Sequence, residues 1–237
     1  MPIAAVTGAS RGLGLAFTRH LVDRGYHVFA TARRPETAEG LQALMAEHPG
    51  AVTALPLDVT RPEGLEELRL QLTKRGGLDL LVNNAGVNSA AFPGPQRNVR
   101  LGSLEPTGIL KMVEVNAVAP LLITQALVEP LAAAGGKVLL VSSWLGSIGG
   151  KTTGGNYGYC ASKTTLNMLG RALAFDLKPR GVGVYLFNPG WVQTDMGGGK
   201  APLTPAASSA GMLDAIAGFD LEATGGFYDH DGSPHGW

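Results

Sequence analysis

Short, continuously apolar runs alternate along this chain with segments whose apolar residues recur every three or four positions. Runs 2–7, 26–32, 51–58, 78–83, 137–142 and 183–188 have strand length. Residues 80–82 and 138–141 are apolar without alternation, which predicts strands covered on both faces and hence a parallel sheet. Leu13, Phe17 and Leu21 follow the first run at helical spacing until Gly25 supplies a stop. Further helical stretches are predicted over 61–75, 110–134 and 159–179. So regular a β–α alternation implies an α/β fold: a Rossmann-type, doubly wound parallel sheet with helices on both faces and right-handed crossovers. No repeat or linker divides it, so 1–237 reads as one domain. Past Asn188 the chain turns rich in Gly and Pro; 190–205 is expected to be a mobile loop, 206–217 a short helix and 226–228 a last strand. Region 190–217 would then form a lid over a ligand at the carboxyl ends of the strands.

Composition narrows the function classes. Hydrophobic residues make up 45% and charged ones 16%, which suits a compact protein rather than a disordered one. A formal net charge of zero offers no electrostatic case for nucleic acid or an anionic membrane. With no basic leader and no run of 18 or more apolar residues, the chain reads as cytoplasmic. Its one cysteine, Cys160, allows neither an intrachain disulfide nor a cysteine metal cluster, and reads as a small packed side chain. Asp229, His230, Asp231 and His235 are metal-ligating types, but nothing in their spacing places them on one face. They are expected to be solvated loop residues, and no metal site is expected.

Candidate chemistry begins in the first strand–helix turn, Thr7-Gly8-Ala9-Ser10-Arg11-Gly12-Leu13-Gly14. Glycines there let backbone approach a pyrophosphate, while the helix start offers unpaired N–H groups to the anion. The spacing is G-x3-G-x-G rather than G-x-G-x-x-G. At the end of the second strand, residues 26–35 contain no acid that would hold a ribose 2′-hydroxyl, and Arg33 stands where a 2′-phosphate would lie. Arg11 could reach that phosphate from the other side. Solvated arginines are the alternative; the arrangement favours NADP(H).

Tyr159 and Lys163 are four apart near a predicted helix start, so they share one face. A phenol titrates near 10, and a nearby ammonium favours its ionised form. Ser143, after the fifth strand, offers a hydroxyl to a substrate carbonyl, with Ser142 as the fallback. A polarised carbonyl, a proton donor and a hydride carrier together describe carbonyl reduction. Tyr157 is a poorer base, its i+4 residue being Ala161. Trp144, Trp191 and Met196 each follow such a motif and are either core or substrate-pocket lining.

Together the glycine turn, Asp58-Val59, Asn83-Asn84-Ala85-Gly86, Asn116, Ser143, Tyr159–Lys163 and Asn188-Pro189-Gly190 resemble the short-chain dehydrogenase/reductase family over essentially the whole chain. Within it the chain is similar to the C-factor/Sniffer-like carbonyl reductase branch, through Tyr157-Gly158-Tyr159, the run 189–196 and the ending 226–232. The resemblance implies that Tyr159 donates the proton, that Lys163 lowers its pKa and holds the nicotinamide ribose, that Ser143 orients the carbonyl, and that Asn116 holds a water. It implies cofactor contacts from Gly8, Ser10, Arg11, Gly12, Leu13 and Gly14, and from Arg33. Asp58 and Val59 would contact adenine; Asn84, Ala85 and Gly86 would line the trough; Pro189, Val192 and Thr194 would meet the carboxamide. The Ser143-to-Tyr159 interval is three residues longer than is usual in the wider family. Helices 110–134 and 159–179 are implied as the interface of a homodimer or homotetramer. An NADP-binding signalling protein with little turnover is the second reading.

Overall fold

A computed structural model describes residues 1–237. Seven parallel strands form one sheet: β1 Ile3–Thr7, β2 His27–Ala32, β3 Val52–Pro56, β4 Leu80–Asn83, β5 Lys137–Val141, β6 Gly183–Asn188 and β7 Phe227–Asp229, in the order β3-β2-β1-β4-β5-β6-β7. The chain runs outward from β1 to β3, then returns to the other side of β1. This reversal opens a crevice past the carboxyl ends of β1 and β4.

Successive side chains of a strand point to opposite faces, and here both faces are apolar. Ala5, Phe29, Leu81, Val138, Leu140 and Leu186 face a core closed by Leu68, Ile123, Leu131, Leu166 and Leu173. Ala4, Val6, Val28, Val82, Leu139 and Phe187 face the other, closed by Phe17, Leu21, Leu41, Leu44, Met212 and Ile216. The helices around the sheet are α1 Gly12–Asp23, α2 Glu39–Glu47, α3 Leu65–Lys74, α4 Pro106–Val113, α5 Ala119–Ala126, α6 Val128–Ala134, α7 Tyr157–Leu177 and α8 Pro205–Gly218.

Two helices depart from expectation. The sequence pattern leaves 33–50 without a helix, yet α2 lies there, burying only Leu41 and Leu44. Its Gly40 faces α1 closely: a Cβ there would come within 2.6 Å of Leu15 Cδ2, which would have to shift. Stretch 110–134 is not one helix. Pro120 has no N–H for the carbonyl four residues back, that of Asn116. The chain answers with a π turn over Glu114–Val118, closed by the Ala119 N–H on the Glu114 carbonyl, and breaks again at Leu127. Such turns inside α-helices recur at functional sites. The run Pro106–Ala126 is long and apolar enough to cross a membrane by length and composition alone. It nevertheless packs on α7 and carries the fully buried Asn116 and a Lys111–Glu114 ion pair.

Region 190–205, the expected loop, is held by internal bonds. Gln193 donates its N–H to the Leu203 carbonyl at 2.8 Å, Trp191 Nε1 donates to the Gly197 carbonyl at 2.7 Å, and Val192 and Ala201 are buried.

Candidate active site

The crevice starts at the glycine turn. Gly8 and Gly12 have φ of +70° and +56°, a region that favours glycine. Gly14 is demanded by close approach, since a Cβ there would meet the Gly8 carbonyl oxygen at 2.2 Å. The β4 end is laced to this turn. Thr7 Oγ1 accepts from the Asn84 and Ala85 N–H groups at 3.0 and 3.1 Å, and Asn84 Nδ2 donates to the Thr7 carbonyl at 2.9 Å. Thr7 thus positions Asn84–Gly86, a role hidden in the sequence because only β1–β4 pairing brings the two together.

At one end of the crevice lie Ala32, Arg33, Leu57, Asp58, Val59, Thr60 and Arg61. Thr60 donates its N–H and hydroxyl to Asp58 Oδ1 at 3.0 and 2.8 Å. That backbone bond, ahead of Arg61 and Arg33, holds the Asp58 carboxyl below its usual range against the opposing effect of burial. Arg33 is exposed here and electrostatically coupled to Asp58. Arg61 joins the same wall, although its sequence context carried no sign of it. Arg11, which could reach the same phosphate from the other side, pairs with Asp195.

Helix α7 carries Tyr159 and Lys163 into the crevice. The chain enters it through Asn156, the one non-glycine residue at clearly positive φ (+52°). Gly158 is glycine because a Cβ would lie 3.2 Å from Ile109 Cα and closer still to the end of Met112. The Ser143 hydroxyl, just past β5, lies beside the Tyr159 phenol and favours its ionised form. Burial is the larger influence and pushes the phenol up to about 12, even though the side chain keeps an edge open to the crevice. The Lys163 ammonium donates to the Val141 carbonyl at 2.7 Å and sits 5.8 Å from the Tyr159 ring centroid. Burial pushes Lys163 itself down to about 8.

Ser142, the fallback, is buried and donates its hydroxyl to Asn167 Oδ1 at 2.5 Å; Asn167 also donates to the Gly146 carbonyl at 3.2 Å. Ser143 is therefore the serine with a hydroxyl beside Tyr159. The Asn116 side chain is likewise committed to structure. It donates to the Val87 carbonyl and accepts the Val87 N–H, both at 2.8 Å, and donates to Ser162 Oγ at 2.9 Å. Trp144, Trp191 and Met196 are all exposed and line the crevice, which decides them as pocket rather than core.

These residues fit a dinucleotide cofactor. At Gly8 and Gly14 the cradle has no room for a Cβ, and the buried Lys163 ammonium, with three donors, has one acceptor among protein atoms. Gly8, Ser10, Arg11, Gly12, Leu13, Gly14, Asn84, Ala85, Gly86, Pro189, Val192 and Thr194 all line the same crevice.

The short chain dehydrogenase family matches residues 2–202. Among characterised relatives, the C-signal protein of Myxococcus xanthus is 39% identical over 163 residues, 68% of this chain and 94% of its own length. The 1-hydroxy-2-glutathionyl-2-methyl-3-butene dehydrogenase of Rhodococcus sp. strain AD45 is 34% identical over 242 residues, all of both chains. Among solved structures, the carbonyl reductase Sniffer of D. melanogaster superposes with a TM-score of 0.91 at 31% identity, covering 100% of this chain and 99% of that one. An NADPH-bound carbonyl reductase from chicken fatty liver gives 0.90 at 31% identity over all of both chains.

Proposed function

This chain belongs to the short-chain dehydrogenase family, and on that premise we propose that it is an NADPH-dependent reductase of ketones or aldehydes, able to run in reverse on alcohols. One observation carries the reading. In an open crevice lined by exposed aromatic residues, the Ser143 hydroxyl lies beside a protonated Tyr159, with a buried ammonium on the same helix.

Bound NADPH supplies the hydride. The glycine turn and Asn84–Gly86 bind its phosphates and line its trough, with Asp58 and Val59 at the adenine and Arg33 at the 2′-phosphate. Lys163 holds the nicotinamide ribose with the donors left free by Val141. Ser143 Oγ–H donates to the substrate carbonyl oxygen and orients it. Tyr159 delivers its hydroxyl proton to that oxygen, so the carbonyl becomes the alcohol and the phenol becomes a phenolate. Lys163, one helical turn away, stabilises that phenolate, and the main-chain carbonyl of Asn116, its side chain being engaged by Val87 and Ser162, holds the water through which the proton is replaced. The phenol carries its proton at neutral pH, as a donor must, and the positive charge of the neighbouring Lys163 eases its release.

The apolar outer faces of α4, α5 and α7 expose Leu110, Leu122, Met168 and Phe175. They form the interface of a homodimer or homotetramer. Covering them in this way also accounts for the apolar run Pro106–Ala126 without a membrane, in keeping with a protein that works in the cytoplasm.

The test is turnover by the purified protein with NADPH and a panel of aldehydes, ketones and quinones. A glutathionyl-substituted alcohol with NADP covers the reverse reaction. Turnover of at least one carbonyl is expected. Tight NADPH binding with no turnover across the panel would refute the reductase reading and favour a regulatory one, the direction in which the name of the C-signal relative points.

A further inference from the structure

Asn188 ends β6 and is buried at 7% exposure. Its single carboxamide oxygen accepts two main-chain N–H groups, from Trp144 at 3.0 Å and from Gly190 at 3.2 Å. Trp144 is the residue immediately after Ser143; Gly190 begins the loop that carries Val192 and Thr194. One side-chain atom therefore pins both walls of the crevice. It does so only in one orientation, because the flipped amide would turn its NH2 toward two donors.

Asp229 decides that orientation. It sits opposite Asn188 in the β6–β7 register, and Asn188 Nδ2 donates to its Oδ1 at 2.6 Å. The same oxygen lies 2.9 Å from His235 Nδ1. His235 is anchored in turn, with its N–H on the Phe227 carbonyl at 2.8 Å and its ring edge-on to Phe227 at 4.6 Å. Two residues on, Trp237 packs on Phe227 and beneath Arg171, and its carbonyl accepts the Gly149 N–H at 2.9 Å. Segment 235–237 thus reaches the loop after Ser143 twice, directly at Gly149 and through Asp229 and Asn188 at Trp144. These two residues are not the solvated loop groups expected from sequence: Asp229 and His235 are partly buried and bonded, and no third ligand-type side chain joins them.

We propose that Asp229, braced by His235, is a positioning residue for carbonyl reduction: through Asn188 it sets the main chain after Ser143, and so the place of the Ser143 hydroxyl against Tyr159. The proposal rests on the reductase reading. A displacement of about 1 Å in such a group is enough to cost on the order of a hundredfold in rate, while the cofactor cradle of the glycine turn is untouched.

The experiment compares Asp229→Leu, Asp229→Asn and His235→Phe with the native protein. It measures kcat at saturating NADPH, the Kd for NADPH, and hydrogen exchange of the 141–150 and 189–194 segments. Asp229→Leu should lower kcat by about tenfold or more, with NADPH affinity changed by less than about threefold and faster exchange after Ser143. Asp229→Asn keeps an oxygen that Asn188 can use and should restore kcat to within about threefold. His235→Phe keeps the ring contact with Phe227, loses only the brace, and should show a smaller loss of the same kind. Unchanged kcat in Asp229→Leu, no rescue by Asp229→Asn, or a rate loss matched by lost NADPH affinity would each overturn the proposal. Should Asp229→Leu not fold, His235→Phe with native kcat and native exchange overturns it instead. Should the native protein reduce nothing, the reductase reading fails on its own, and unchanged exchange at Trp144 in Asp229→Leu still refutes the structural link.

Discussion

Arg11 and Asp195 meet at 2.9 Å, joining the glycine turn after β1 to the loop after β6. Both side chains are about three-quarters exposed (76% and 75%), so the pair contributes at most about 1 kcal/mol. If Arg11 serves the 2′-phosphate, it must leave Asp195 to do so. Asp195→Asn should then tighten NADPH by up to about fivefold and leave NADH unchanged. Titration of both cofactors checks this; equal shifts for the two would remove Arg11 from the phosphate site.

Arg33 stands exposed at the Asp58 end of the crevice, free to grip a 2′-phosphate. A charge-assisted bond is worth about 1.5–3 kcal/mol, or roughly ten- to a hundredfold in affinity. Arg33→Asp should weaken NADPH by that factor and leave NADH similar or tighter. Native affinities that are equal for NADH and NADPH would contradict the assignment.

Tyr159→Phe removes one hydroxyl and keeps the ring. Reduction should slow by about 10²–10⁴ with NADPH affinity nearly unchanged, whereas Lys163→Ala should lose both turnover and affinity. Single-turnover rates and cofactor Kd values separate the two variants. A Tyr159→Phe enzyme at native speed would end the proposed mechanism.

Burial places the Lys163 ammonium at about 8, against 10.5 for the ordinary group. As pH rises through about 8 the charge is lost, so NADPH binding should weaken, and Lys163→Met should flatten that profile. Stability should move the other way. Between about 8 and 10.5 the unfolded chain holds a proton that the folded one has released, so the Lys163 contribution to stability rises with pH. A native Kd independent of pH from 6.5 to about 9.5 would exclude the charge from cofactor binding.

Met168 and Phe175 lie exposed on α7, Met168 lining a shallow groove with Ala161, Thr164, Thr165 and Leu169. Met168→Glu with Phe175→Glu should bury two charges in the proposed interface and yield monomers by sedimentation, with the fold intact by circular dichroism. A variant that stays dimeric would move the interface elsewhere.

Much of this protein was legible before its structure. The unbroken apolar runs point to strands covered on both faces, and β6 begins and ends where the pattern places it, at Gly183 and Asn188. The glycine turn, Ser143, Tyr159 and Lys163 were legible too, because local spacing puts each on a strand end or a helix face. Contacts between distant segments were not. Helix α2 escaped notice because two buried leucines in nine residues make too weak a stripe, and its Gly40 answers to Leu15 across the interface with α1. The break at Asn116 follows from Pro120, yet its consequence depends on Val87 and Ser162, which lie 29 and 46 positions away. The same holds for Lys163, whose spacing points to Tyr159 but whose ammonium goes to Val141 at the end of β5. Asp229 and His235 read as solvated because nothing local gives them a face; the β6–β7 register supplies it, setting Asp229 against Asn188. Periodicity and motif spacing record where the backbone goes and which side chains share an element. Which donor meets which acceptor across elements is decided by strand order and burial, where each polar group must find its partner among whatever the fold brings near.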